Sequence, residues 1–174
     1  MKIQDITHYI KNYNTEEVLF NEIGPEIRKR GFMKFYEFYK ICMWKSVRPK
    51  KRYIQNNKIV EKITKQAFAE SNETDKMLIL TRLNGVGIPT ASAILTIIFP
   101  NQYSVIDIRC IESLNFLGYK ISKAMTIKNW LEYLKIMRNL AKENNVTPRQ
   151  LDMALFTMHK EKLQNEGYKN LYKI

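Results

Sequence analysis

The sequence predicts an all-α protein, and three observations carry that expectation. Glycine and proline are sparse, six and five in 174 residues. Alternating β-branched runs are few, and apolar residues recur at three- and four-residue spacing, the period of a helix face. At this length one domain, or two small lobes sharing a core, buries enough apolar surface to stand without metal or disulfide.

Each element has its own local reason. A first short helix is expected over Ile3 to Tyr13. Asn14 or Thr15 then caps a second running to about Lys29, ended by Gly31. Phe32, Phe35, Tyr36, Phe38 and Tyr39 make an aromatic segment to about Trp44, a cluster that belongs more naturally to a core than to a binding platform. Lys45 to Lys58 reads as an exposed basic loop interrupted by Pro49, with Lys50, Lys51 and Arg52 at its centre. Helices follow over Ile54 to Ala69 and, from a Ser71 or Asn72 cap, to Leu83, with Met77, Leu78, Leu80 and Leu83 inward. Pro89 suits the first turn of a helix to Ile98, closed by Pro100. Another helix starts near Asp107. Thr126 and Thr147-Pro148 open the last two, the second ending near the glycine at 167.

Composition narrows the function. No apolar run reaches the length of a bilayer span, and the first residues lack a signal-peptide core, so a cytoplasmic protein is expected. Two cysteines and two histidines, widely scattered, show no metal-ligand spacing, and no metal site is expected. The net charge of +12 favours a polyanionic partner, nucleic acid first, although a solubility bias alone gives the same composition.

The residues that carry chemistry lie between Leu83 and Cys110. Gly85 and Gly87 bracket Val86 in a tight turn between two helices, where glycine permits positive φ and the close approach of another chain. The N–H groups that open the following helix, near Ile88 to Ala91, lack intrahelical partners and can hold a phosphate, with the valine pointing inward as a plug. Asp107 stands 20 residues beyond Gly87. It reads either as the cap of the helix that begins there or as a catalytic carboxylate, and a cap would fix its rotamer for the second role.

LNGVG, then TASAIL, then VID, resembles the helix-hairpin-helix DNA glycosylase superfamily, which includes endonuclease III and the adenine-mismatch glycosylases. The match spans Leu83 to about Leu114, with Thr90, Ala91 and Leu95 at pattern positions. The resemblance implies two interleaved helical lobes with a basic cleft between them. They form a single domain over 1–174, one lobe from about 1–45 plus 120–174, the other from about 46–119 with the hairpin at 83–90. It implies that Asp107 serves the C1′ centre of a flipped-out nucleotide, and that Leu83, Gly85, Val86, Gly87, Ile88 and Thr90 form the DNA-gripping turn. A monovalent cation that the hairpin could hold belongs to the same resemblance; no other cofactor is required.

Three departures shape the expectation. Pro89 stands where strand-cleaving members carry a Schiff-base lysine, which implies a monofunctional enzyme leaving an abasic site unless a lysine from elsewhere substitutes. Two cysteines cannot supply the four-cysteine loop of an iron–sulfur cluster. Only 82 residues precede Leu83, and Arg109 replaces the histidine or asparagine common two residues after the aspartate, so base identity does not carry over.

Around this centre, Arg82 and Arg109 are candidates for flanking phosphates, Arg109 equally for pairing with Glu112. Lys50, Lys51 and Arg52 suit the backbone across the cleft. Tyr53 or Trp44 could stack on a base or be buried. Asp152 and His159 share a helix face, but Asp152 reads better as a macrodipole partner and His159 as packed or solvated. The expected function is therefore hydrolysis of the N-glycosidic bond of a damaged or modified base in duplex DNA by a monomeric protein, in repair or against invading phage DNA. The alternatives are a non-catalytic DNA- or RNA-binding module and, more weakly, a protein-interaction scaffold using the aromatic segment.

Overall fold

A computed structural model describes residues 1–14 and 16–163. Every regular element among them is helical: α1 (Ile6–Lys11), α2 (Gly24–Arg30) after a π turn at Leu19–Ile23, and α3 (Phe35–Lys45). Then come α4 (Lys50–Tyr53), α5 (Val60–Ala69), α6 (Glu73–Leu80), α7 (Ile88–Ile98), α8 (Ile108–Phe116), α9 (Ile127–Glu143) and α10 (Pro148–Met158), which runs into a π turn at His159–Leu163. None is long and apolar enough to cross a membrane.

The helix ends follow local chemistry. Asn72 caps α6 by accepting the N–H of Thr74 at 2.9 Å and of Asp75 at 3.1 Å. Thr147 and Gln150 close a reciprocal capping box on α10, and Gly31 ends α2 with φ +82°. The Thr15 cap and the end of the last helix near 167 lie outside the described residues.

Packing arranges the helices in two groups, one on α7, whose residues Thr90 to Ile98 are all buried, and one on α10. On one side α2, α3 and α6 pack on α7. On the other α1, α8 and α9 pack on or beside α10, which brings the N-terminal residues back to the C-terminal helices. Ile3 N–H donates to Asn144 Oδ1 at 2.8 Å and closes that return. A Cβ on Gly24 would stand 2.3 Å from the carbonyl oxygen of Ile97, so only glycine lets α2 lie this close to α7.

Four expectations need correction. Leu78 is exposed, because it lies about 100° around the helix from Met77, and the buried face is Met77, Leu80 and, beyond the helix, Leu83. Residues 45–58 are not a loop: Pro49 precedes the first turn of α4, a 3-10 turn continues over Ile54–Asn56, and α5 begins only at Val60. Tyr53 is wholly buried, edge-on to Phe38 with ring centroids 6.0 Å apart, and so cannot stack on a base. The first helix is also shorter than Ile3 to Tyr13, because Asp5 takes a left-handed conformation and breaks it.

Candidate active site

The hairpin between α6 and α7 is built by its buried residues. Leu83, Val86 and Thr90 are all in the core, and Val86 N–H donates to the Leu83 carbonyl at 3.0 Å to close the turn. Their side chains hold the hairpin from inside, so only their backbone is left for a ligand. Gly85 has φ +83°, and a Cβ there would lie 3.0 Å from Cβ of Arg52, Cβ of Pro49 and Cε1 of Tyr53. α4 therefore seats directly on the hairpin. Asn56, fully buried, completes the joint: its Nδ2 donates to the Asn84 carbonyl at 3.0 Å, and its Oδ1 accepts the Asn84 N–H at 2.8 Å.

This seating brings Lys50, Lys51 and Arg52, all exposed, beside the hairpin, and Arg82 just before it is also exposed. Gly87 differs from Gly85. Its φ is −97°, and a Cβ would meet nothing closer than Pro89 Cδ at 3.9 Å, so the turn leaves open space outside it. The N–H groups of Ile88 and Thr90 precede the first intrahelical bond, from Ala91 N–H to the Gly87 carbonyl, and lack helical partners. The carbonyls of Gly85 and Val86 accept no hydrogen bond among the described residues. Backbone carbonyls are hard oxygen donors of the kind that could hold a cation.

Asp107 is set by three elements. Ser92 on α7 donates to the Pro89 carbonyl at 2.8 Å and accepts the Ile106 N–H at 3.1 Å, tying the segment before Asp107 to the hairpin helix. Asp107 caps α8, its Oδ1 accepting the Arg109 N–H at 3.0 Å. Its Oδ2 accepts from Lys45 Nζ, at the end of α3, at 2.7 Å. The carboxyl is partly buried, with 29% of its side chain exposed. Burial acts to raise its pKa, but the Lys45 ammonium and its hydrogen bond, the Arg109 N–H and the Arg109 guanidinium outweigh that and hold it below the usual carboxylate range.

Two cavities meet at this carboxylate. One, of about 470 Å³, is walled by Tyr13, Trp44 and Phe156, with Arg149 and Asp152 behind. The other, of about 550 Å³, runs past Arg48 and Val47 to Pro89, the second residue of the hairpin helix. Lys45 and Asp107 line both. Asp107 and Pro89, at the start of the hairpin helix, thus line one cavity.

Several side chains differ from their sequence reading. Arg109 does not pair with Glu112; its guanidinium lies 4.8 Å from the Phe156 ring centroid, while Glu112 takes Nε2 of His159 at 2.6 Å and Nζ of Lys123 at 2.7 Å. Asp152 is no surface macrodipole partner: it is 2% exposed, accepts the Val105 N–H at 2.8 Å and pairs with Arg149. Burial raises its carboxyl to about 6, against the opposing pull of Arg149, the Val105 N–H and Lys45. Arg149 is itself enclosed by the rings of Phe20, Tyr13 and Trp44, at 4.5, 4.8 and 5.7 Å. Trp44 is half-buried and forms a cavity wall.

Lys45, Asn56 and Asp152 are site residues that the sequence does not single out. A signal existed for Asp152, since LDMALFTM is apolar on nearly every side and any acid in it must be buried. Nothing local marks Lys45 or Asn56, whose partners lie 62 and 28 residues away.

The sequence matches no family model. The structure is similar to the crystal structure of a Methanocaldococcus jannaschii 8-oxoguanine glycosylase/lyase in complex with a 15mer DNA containing 8-oxoguanine. The TM-score is 0.55 at 19% identity, over 90% of this chain and 79% of that one. That likeness establishes the helix-hairpin-helix glycosylase fold, two interleaved helical lobes with a cleft between them.

Proposed function

We propose that the protein is a DNA glycosylase-like enzyme that hydrolyses the N-glycosidic bond of a damaged or modified base, with Asp107 serving the sugar carbon. The observation that carries the reading is the position of Asp107: an ionised, capped carboxylate at the junction of two cavities, one of which reaches the hairpin. The likeness to a DNA-bound glycosylase/lyase supports the same class of chemistry.

The geometry suits each step. The open backbone at Gly87 and the N–H groups of Ile88 and Thr90 receive a phosphate, with Lys50, Lys51, Arg52 and Arg82 supplying sequence-independent attraction beside it. A nucleotide turned out of the duplex enters the cavity walled by Tyr13, Trp44 and Phe156, where an aromatic surface meets the base. As the base departs, positive charge grows at C1′, and a fixed carboxylate opposes it without reorganising. Water is the nucleophile for base removal, since Pro89 offers no amine from the hairpin.

One observation favours a non-catalytic DNA-binding module: Lys45 already neutralises Asp107. The two readings separate on free base. Incubation with DNA carrying oxidised, alkylated or deaminated bases, followed by mass spectrometry of the small-molecule fraction, yields a released base for an enzyme. A binding module yields none.

A further inference from the structure

We propose that Arg149 reads the extruded base, and that the base it selects is a deaminated purine, one whose O6 and N7 both stand as bare hydrogen-bond acceptors. The inference rests on the glycosylase-like reading for the entry of a base into the cavity, and on this chain's own hydrogen bonding for the choice of base.

Arg149 is the second residue of α10, and its side chain, 6% exposed, lines the aromatic cavity beside Asp107. Asp152, one turn further on, fixes it: Oδ1 accepts from Nη1, while Oδ2 is occupied by the Val105 N–H at 2.8 Å. The other two nitrogens of the guanidinium, Nε and Nη2, are buried and have no hydrogen-bond partner. Their N–H bonds run parallel along one side of the planar group, the edge with which arginine grips two adjacent acceptors at once. Buried donors left unpaired are costly, and a bound group that satisfies both offsets that cost. The rings of Phe20, Tyr13 and Trp44 enclose the guanidinium and keep water from it, which strengthens a bond made there. A phosphate would suit the same edge, but Asp107 and Asp152 bring two carboxylates to this cavity and repel it. A flat base suits the walls of Tyr13, Trp44 and Phe156.

The edge sorts bases by their chemistry. O6 and N7 of a guanine-type purine accept from an arginine fork, whereas adenine presents an amino group at C6 that meets it donor to donor. Deamination of adenine replaces that amino group by O6 and creates the acceptor pair. A purine oxidised at C8 carries a hydrogen on N7 and loses one acceptor. Pyrimidines show no such pair on that edge. Guanine itself offers the pair but is held by its partner cytosine, while hypoxanthine opposite thymine is mispaired and costs less to extrude. The same contact assists departure. When C1′–N9 breaks, the electron pair stays with the base and spreads to N7 and O6, beside the guanidinium. Water bonds to C1′ through its oxygen and releases the proton that neutralises the base.

The full chain is titrated by fluorescence anisotropy with two duplexes whose target sugar is 2′-fluoroarabino and resists cleavage. One carries hypoxanthine opposite thymine and the other 7-deazahypoxanthine, which replaces N7 by C–H. Base release from ordinary duplexes containing hypoxanthine, 8-oxoguanine or uracil is followed in parallel by mass spectrometry. The expected result is tighter binding of the hypoxanthine duplex by about 5-fold or more, the scale of discrimination by a two-toothed contact, and release of hypoxanthine ahead of the other two bases. Arg149→Lys, which keeps a cation beside Asp152 but lacks the parallel edge, should bind the two analogues equally. The comparison of analogues on the wild type needs no variant to fold. Equal binding by the wild type, preferred release of 8-oxoguanine or uracil, or an unchanged ratio in Arg149→Lys overturns the proposal. Analogue discrimination without base release from any DNA would sink the glycosylase reading alone, and base release with equal analogue binding would sink only this one.

Discussion

Lys45 Nζ stands 2.7 Å from Oδ2 of Asp107, and this contact joins the end of α3 to the cap of α8 across the cleft. Burial raises the Asp107 carboxyl and the ammonium lowers it, so removing the ammonium leaves the raising influence less opposed. The acid limb of the pH profile for base removal should therefore move to higher pH in Lys45→Met. Single-turnover base release across about pH 3 to 7, a range that extends below ordinary carboxylate values, measures it. An acid limb that stays in place contradicts the assignment of Lys45 as the group that keeps Asp107 ionised.

The two hairpin glycines should behave differently. Gly85→Ala forces a side chain into a left-handed conformation and against α4, and should cost about 1–3 kcal/mol of stability. Gly87→Ala meets no protein atom closer than 3.9 Å and should change stability by less than about 1 kcal/mol while weakening DNA binding. Denaturant unfolding and fluorescence anisotropy with labelled duplex separate the two effects. Equal binding by Gly87→Ala and wild type would remove the phosphate from the hairpin.

Asn56→Ala should remove the bonds to the N–H and C=O of Asn84 at a partly buried joint, at a cost of about 1–3 kcal/mol for the two together. Because the joint seats α4 on the hairpin, the variant should also bind duplex less tightly under conditions where it remains folded. Binding unchanged in a folded Asn56→Ala protein would show that α4 and the hairpin act independently.

Asp152 makes a pH-dependent contribution to stability. Its carboxyl is raised from 3.8 to about 6 in the fold, so between those values the folded state holds a proton that the unfolded state has lost. Stability from this group is therefore greatest below the unfolded value and falls as pH rises through about 6, by a total of about 3 kcal/mol at about 1.4 kcal/mol per unit. Carbon-13 NMR of labelled aspartates, with Asp152→Asn to assign the signal, follows the titration. A midpoint below 4 would contradict it.

Salt should weaken DNA binding steeply, with the logarithm of affinity falling by about 0.9 per logarithm of salt for each phosphate neutralised. Replacing Lys51 or Arg52 with glutamine should reduce the slope by about that amount each, whatever the DNA sequence. Titrations at several salt concentrations read it directly, and slopes that do not change would take α4 off the DNA backbone.

The readable parts of this fold are those set by local chemistry. Asn72, Thr147 and Gly31 mark helix ends because their capping groups act within a few residues, and Asp107 caps α8 as its position before Ile108 suggests. Residues 45–58 read as a loop from sequence because proline interrupts a helix interior, whereas the same fixed φ suits the start of α4. The Lys45–Asp107 pair, the Asn56–Asn84 joint and the burial of Asp152 arise from packing between distant segments, and no local pattern announces two of the three.

Catalysis by Asp107 is tested most directly by abasic-site formation, read with an aldehyde-reactive probe on duplex oligonucleotides carrying oxidised, alkylated, deaminated or hypermodified bases. Wild type is compared with Asp107→Asn, and DNA binding is measured on both. Wild type should form abasic sites and the variant should lose about 100- to 1,000-fold, the scale of removing one fixed group that stabilises transition-state charge, with binding retained. Abasic sites formed equally by both proteins, or by neither, would contradict it.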